Sequence, residues 1–305
     1  MDEVGRLSFH RGISHSLFFA FVAAPLLAWL VTRWYKKDEN NTTTFKDWTL
    51  LFFLALFTHP IIDAFTVYGT QLFLPFSDVR IGINNIFILD PLYTIPLLLG
   101  LLMAMFHKKT NAKRPFWNYL GIGLSTLYVC FTLFSKNTAN NAFEYALNEQ
   151  KIAYKRFMTA PTPLNSILWY SVVEAQDGYY MGLYSILDKD KNIEFEYFER
   201  KASLIENIKD ERAIDRLIWF SKGYYVVRQE DEGLKLYNLI FGKDDLSNLN
   251  GKNEGDDKKK EAFVFSFLLQ KDENGEMYFE EKVGPPEDLD ISEAFTILWK
   301  RIKGK

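Results

Sequence analysis

Four long apolar runs, at residues 16–34, 48–65, 86–106 and 116–134, fill most of the first 135 positions and restrict this chain more than anything else in it. Crossing the hydrocarbon core of a bilayer takes about 20 largely apolar residues in a helix, and each run comes close to that length. Each is flanked by charge or by Trp and Tyr, side chains that suit a membrane interface. None carries the polar stripe at 3.6 spacing that a helix half-exposed to water needs. The bland alternative, a large buried helical core, leaves too little polar surface to face water. About four transmembrane helices are therefore expected.

Composition, read as an average, hides this. A net charge of −3 and a mean hydropathy near zero describe an ordinary soluble protein. Yet of the 36 Lys and Arg and 39 Asp and Glu, only 11 and 8 fall within residues 1–135, most of them in short clusters between the apolar runs. The remainder spread evenly over 136–305, as on a solvated surface. The expected organisation is a transmembrane helical domain at 1–135, a juxtamembrane segment at 136–163 and an α+β domain at 164–305. The single cysteine, Cys130, lies inside an apolar run, which excludes a disulfide framework and a cysteine-based metal site. No cleavable signal peptide is expected, because the opening MDEVGRLSFHRGISHS is polar and the first apolar run is too long for a signal core. No basic stripe or recognition motif points to nucleic acid.

Basic residues orient the spans. Arg33, Lys36, Lys37 and Lys46 lie in the first loop, and Lys108, Lys109, Lys113 and Arg114 in the third, whereas the loop at 67–85 holds only Arg80. The positive-inside rule puts the first and third loops in the cytoplasm. The N-terminal segment, the Arg80 loop and the C-terminal domain then face outward.

Beyond the last run, residues 142–158 read as an amphipathic helix ending at a stiff Ala160-Pro161-Thr162-Pro163 linker. Short β-branched and aromatic runs follow at 167–173, 179–187, 193–198, 224–228, 234–240, 263–269 and 277–283. They are separated by turn signals such as Gln176-Asp177-Gly178 and Glu273-Asn274-Gly275. Helices are expected at 210–221 and 292–302, giving an α+β domain built on an antiparallel sheet. Residues 244–261, rich in Asn, Gly, Asp and Lys, read as a mobile loop.

Ionisable groups in or beside the spans are costly, and so are functional candidates. His10 and His15 precede the first span, His59 and Asp63 lie in the outer half of the second, and Asp90 stands at the start of the third. The topology derived from Lys and Arg puts all five on the outer side. Four residues at about 100° each bring Asp63 to within about 40° of His59 on one helix face, so both can ligate one ion. An imidazole and a carboxylate are the ligand types of zinc and of other divalent first-row metals. His10 and His15 add two imidazoles, separated by a glycine that lets the backbone turn. Alternatively they are interfacial histidines at a helix start, with Ser14 as N-cap. Arg11 and Arg80 offer forked donors to a phosphate or carboxylate, or else snorkel at the interface. Asp90-Pro91 fits a cap-then-proline helix start as well as it fits a catalytic carboxylate. His107, beside Lys108 and Lys109, reads as a solvated helix end.

The ordered set His10-Arg11-Gly12-Ile13-Ser14-His15-Ser16, Thr58-His59-Pro60-Ile61-Ile62-Asp63, Tyr68-Gly69-Thr70 with Leu74-Pro75-Phe76-Ser77, and Leu89-Asp90-Pro91 resembles the YdjM-like family of bacterial inner-membrane metal-dependent hydrolases. The resemblance covers roughly residues 9–106. It implies that His10, His15, His59 and Asp63 are metal ligands and that Asp90 is a further candidate. The His-x-x-x-Asp element is also distantly similar to one in zinc-dependent phospholipase C, which implies phosphoester hydrolysis. Family members carry an earlier apolar segment with another His and a Pro-Asp-x-Asp element, without counterpart here, so either the chain starts late or its ligand set is smaller. The expectation is a multi-pass protein of the bacterial cytoplasmic membrane, hydrolysing a phosphoester or lipid-linked substrate at the outer face. A zinc ion is the expected cofactor, Asp63 or Asp90 the general base, and Arg11 and Arg80 the substrate-binding residues. Two rivals stand beside it: a membrane anchor or accessory protein whose outer domain binds a partner, and a proton-coupled transporter using His59 and Asp63, the latter disfavoured by the lack of an inverted repeat.

Overall fold

The computed structural model describes residues 5, 7, 9, 11–35, 43–209, 211–243, 263–271, 275–283 and 291–304. His10, Lys36, Lys37 and the expected mobile loop at 244–261 lie outside them. The chain divides into two compact units, Met1–Asn84 and Asn85–Lys305.

The first unit is a helical hairpin with a long return loop. A short 3-10 turn, Ile13–His15, leads into α1, Leu17–Tyr35, and α2, Phe45–Ala64, runs back alongside it. The cap of α1 is Ser16, not Ser14 as the sequence suggested: Ser16 Oγ accepts from the Phe19 amide at 3.0 Å, while the Ser14 hydroxyl meets His15 Nδ1. At α2, Thr44 and Asp47 cap reciprocally, through the Asp47 amide to Thr44 Oγ1 and the Thr44 amide to Asp47 Oδ2. Ala20, Ala24 and Ala28, spaced four apart, form one fully buried ridge of α1. Larger side chains such as Phe21, Leu26 and Trp29 point outward. Small residues at the helix contact and large ones outside are the pattern of helices solvated by lipid.

After α2 the chain folds back over residues 65–84. Ile83 N–H bonds the Ala64 carbonyl at 2.7 Å, and Thr70 and Ile81 exchange backbone hydrogen bonds in an isolated antiparallel bridge. Gly69 makes that bridge possible. Its φ is +71°, and a Cβ there would stand 2.9 Å from the Ile81 carbonyl oxygen.

In the second unit, α3, Pro91–Met105, packs against α4, Lys113–Glu149. Gly100 and Gly121 form the crossing: a Cβ on Gly121 would lie 2.8 Å from the Pro96 carbonyl oxygen. Ser125 Oγ also donates to the Tyr93 carbonyl at 2.8 Å. Among the described residues α1, α2 and α4 are long and apolar enough to cross a membrane. The third apolar run yields only the 15-residue α3, about 22 Å long. Asp90 caps it and Pro91 opens it, which leaves 86–90 outside the helix and trims the expected four spans to three plus one short apolar helix.

The separate amphipathic helix expected at 142–158 does not exist. No Gly or Pro interrupts the chain between Ser135 and Glu149, so α4 continues to Glu149 and ends there. Its Ala139, Ala142, Phe143 and Ala146 are buried against Trp169, Tyr184 and Ile193. The residues read as a proline linker are instead the end of a strand, β1, Arg156–Pro161, with Ala160 opposite Tyr170 and Pro161 opposite Trp169. Proline is tolerated because β1 is an edge strand.

Strands β2, Leu168–Glu174, β3, Gly178–Ser185, and β4, Phe195–Glu199, complete an antiparallel sheet in the order β1-β2-β3-β4. A second sheet joins β5, Tyr225–Glu230, β6, Gly233–Lys243, β7, Phe263–Lys271, and β8, Met277–Val283, in chain order. These are the seven expected strands, arranged in two sheets rather than one. Helices α5, Arg212–Phe220, and α6, Ile291–Ile302, are the two expected after the spans. Strand β2 is buried at every position. Trp169 faces α4, and Tyr170 donates through its hydroxyl to the Ile240 carbonyl of the second sheet at 2.6 Å, so both faces of the strand are covered.

Candidate metal centre

Three residues from two segments of the first unit converge. His15 stands on the 3-10 turn before α1, and His59 and Asp63 lie one turn apart at the end of α2. Each offers a ligand atom within 4.8 Å of the others. His15 Nε2 lies 3.6 Å and His59 Nε2 3.7 Å from Asp63 Oδ2, and the two imidazole centroids are 5.2 Å apart. His15 Nδ1 is 3.0 Å from Ser14 Oγ, a contact that fixes the ring with its Nε2 toward Asp63.

Asp63 is held from its other side. Arg11 Nη2 lies 3.4 Å from Asp63 Oδ1, while Nη1 donates to the Asp63 carbonyl at 3.2 Å and to Thr66 Oγ1 at 2.7 Å. The Thr66 hydroxyl itself donates to the Asp63 carbonyl. The Asp63 carbonyl at the end of α2, which also accepts from the Thr66 amide at 3.1 Å, is thus bound by the residues that fix the carboxylate. Arg11 reaches this place by adopting φ +53°, a left-handed conformation that a non-glycine residue keeps only when its surroundings hold it. One carboxylate oxygen faces the guanidinium, and the other faces both imidazoles.

The donor set fits a small divalent cation. Two N or O ligands about 2.0–2.2 Å from a tetrahedral zinc lie about 3.4 Å apart, so the two His–Asp separations need to close by only a few tenths of an ångström. Three protein ligands leave a fourth position for water or substrate, as in catalytic sites. Side-chain exposure rises from Asp63 at 14% through His15 at 26% to His59 at 65%, so access is from the His59 side.

Tyr68 lies between two cations. The Arg11 guanidinium carbon is 5.0 Å and that of Arg80 4.8 Å from its ring centroid. Both arginines are buried. Burial pushes Arg80 down to about 10, Tyr68 opposes the shift, and the Arg11 charge adds to it. Burial also lowers Arg11, against the pull of Asp63.

Of the site residues expected from sequence, the structure thus brings together His15, His59, Asp63 and Arg11, with Arg80 sharing Tyr68. His10 lies outside the described residues. Asp90 belongs to the second unit, where it is 2% exposed. There its Oδ1 caps the Leu92 amide at 3.0 Å, and its Oδ2 accepts from the Tyr128 hydroxyl at 2.8 Å and the Ser166 hydroxyl at 3.2 Å. His107 contacts the Met103 carbonyl one turn back at 2.7 Å. Sequence reasoning did not single out Thr66 or the ring of Tyr68. The Tyr68-Gly69-Thr70 motif was the available signal, since Gly69 marks the turn that follows that ring.

Comparison with known proteins returns no curated protein and no solved structure that matches. Residues 1–139, which hold the whole His–Asp cluster, α1, α2 and all of α4 before residue 140, match the model of a family described as YdjM inner membrane protein, and the chain is a membrane protein.

Proposed function

We propose that this protein is a membrane-bound, metal-dependent hydrolase acting on a phosphoester or lipid-linked substrate at the outer face of the bacterial cytoplasmic membrane. The observation that carries this reading is the convergence of His15, His59 and Asp63 within ligand distance of one another. These residues would hold a divalent ion, zinc first among the candidates for two imidazoles and a carboxylate. Such an ion supplies a nucleophilic hydroxide near neutral pH and polarises the substrate oxygen.

The chain's own residues have distinct parts. Arg11 fixes Asp63 through Oδ1 and leaves Oδ2 for the ion, so Asp63 is a ligand rather than the general base. His15 is oriented by Ser14. His59, the most exposed of the three, borders the approach. The positive field of Arg11 and Arg80 favours an anionic substrate group. Asp90 is already committed to a helix cap, Tyr128 and Ser166, which supports a positioning role within its own unit. The charge distribution of the loops supports an outward C-terminal domain.

The test is metal content. Full-length protein purified in detergent is expected to carry about one equivalent of zinc or another divalent ion. His59→Ala is expected to lose most of it while staying monodisperse and helical by circular dichroism. Chelation should abolish hydrolysis of a chromogenic phosphodiester and added zinc restore it. Wild-type metal content in the variant would remove the proposal.

A second reading rests on the eight-stranded domain, which lies beyond the matched residues. In that reading the helices anchor a domain that binds a partner, and purified wild-type protein carries no stoichiometric metal.

A further inference from the structure

Helix α6 has one face anchored and one face open. Leu298 and Ile302 pack on Leu168, with Ile167 and Leu183 beside them. Arg301 pairs with both oxygens of Asp188 at 2.7 Å, and Ser185 Oγ donates to the Ile302 carbonyl at 2.7 Å. The chain then closes on β3's end at Gly304, where a Cβ would stand 2.5 Å from the Leu187 carbonyl oxygen. On the flank of that face, about 60° and 100° round the helix from Leu298, Phe295 and Trp299, one turn apart, are 51% and 61% exposed. Lys300 is exposed, and Lys303 Nζ lies 5.1 Å from the Trp299 ring.

The place where α6 is anchored in the fold is defined. Leu168 follows directly on the loop that meets the ends of the apolar helices. Ser166 donates to Asp90, the cap of α3, and its carbonyl accepts from Ser135, the first residue after the apolar run of α4. Trp169 Nε1 also donates to Ser135 Oγ. Residues 166–169 are therefore level with the point where α4 leaves its apolar run, and α6 is packed on them. Leu164 in the same loop and Leu187 beside α6 are exposed as well. Large apolar side chains gathered at the bilayer end of a water-soluble domain call for a cover.

We propose that the outer face of α6 rests in the headgroup layer of the bilayer that the chain's own helices cross, with Phe295 and Trp299 at the acyl boundary and Lys300 and Lys303 among anionic headgroups. Lipid is the occupant that the surroundings favour, because the patch continues the level at which the apolar helices end. Trp beside Lys on an amphipathic helix is also interfacial chemistry.

The full-length chain in vesicles of phosphatidylcholine and phosphatidylglycerol tests this. In a Cys130→Ser background, a nitroxide on Trp299→Cys, or one turn earlier on Phe295→Cys, is compared with one on Tyr197→Cys. Tyr197 is equally exposed but pairs through Tyr180 with Val173, about 17 Å along the strand from Leu168. At 295 and 299 membrane-dissolved oxygen should broaden the label several-fold more than a water-soluble nickel chelate does, and at 197 the order should reverse. Labels at 295 and 299 as open to the chelate as that at 197 would overturn the proposal. So would labels shielded from both reagents, which would mean that a protein covers this face.

Discussion

Helix α1 and strand β2 are built from the same kinds of residue and bury opposite ones. In α1, Phe21, Leu26 and Trp29 are more than half exposed and the alanines at 20, 24 and 28 are fully buried. In the C-terminal domain, Trp169, Tyr179, Phe220 and Phe267 are fully buried, and the buried charges Glu174 and Arg301 are paired with opposite charges. Apolar burial drives the second arrangement, since each large side chain removed from water gains about 1.5–3 kcal/mol. Between helices in lipid that drive is missing, and close contact of small residues replaces it. The difference reports which solvent each half is made for.

The largest expected effect breaks this contrast if it is wrong. Trp169→Ala leaves a cavity between β2 and α4 and also removes the indole bond to Ser135, and should destabilise the domain by about 3–5 kcal/mol. Leu26→Ala, at a position 60% exposed on α1, should stay within about 0.5 kcal/mol. Denaturant unfolding of the full chain in micelles compares the two. Equal losses would mean that α1 is packed against protein rather than solvated by lipid.

A smaller effect sharpens the comparison inside the membrane half. Gly121→Val places side-chain carbon where the Pro96 carbonyl stands and should cost about 1–3 kcal/mol as α3 and α4 separate. Gly123, two residues on, would meet nothing within 4 Å, so Gly123→Ala should be neutral or slightly stabilising. Unfolding in mixed micelles, or the distance between labels on the two helices, distinguishes them. Equal responses would place the helix crossing elsewhere.

How much of this was legible in the sequence follows from the range of each interaction. The apolar runs, seven strands and two of the soluble domain's helices are local patterns, and their residues already carry the period of each element. So does the His59–Asp63 pair, which is a property of one helix. Meeting His15 required only that the chain turn before α1, and the Gly12 beside it signalled a turn. The place of Arg11 was not legible, because it depends on a left-handed residue folding a guanidinium under the end of another helix. The strand at 156–161 was hidden by its terminal proline, which only an edge position admits. The end of α4 was misplaced because the polar residues after Ser135 resemble a new surface helix until the sheet that covers them is known.

The smallest expected effect lies where water does the solvating. Glu232, in the turn between β5 and β6, accepts from Lys282 of β8 at 2.8 Å and lies 3.1 Å from Lys235. Those bonds, the one from Lys282 first, push its carboxyl down from 4.5 to about 2. A carboxyl depressed in the folded state stabilises it above the unfolded value, and that contribution fades as pH falls from about 4.5 through about 2. Because Glu232 is exposed to solvent, the change should be visible in its titration and scarcely at all in melting temperature. Carbon-detected NMR of the carboxyl should give a midpoint that rises toward 4.5 in Lys282→Ala and, in wild type, with added salt. A wild-type Glu232 midpoint already at the ordinary value would show that the lysines do not hold it.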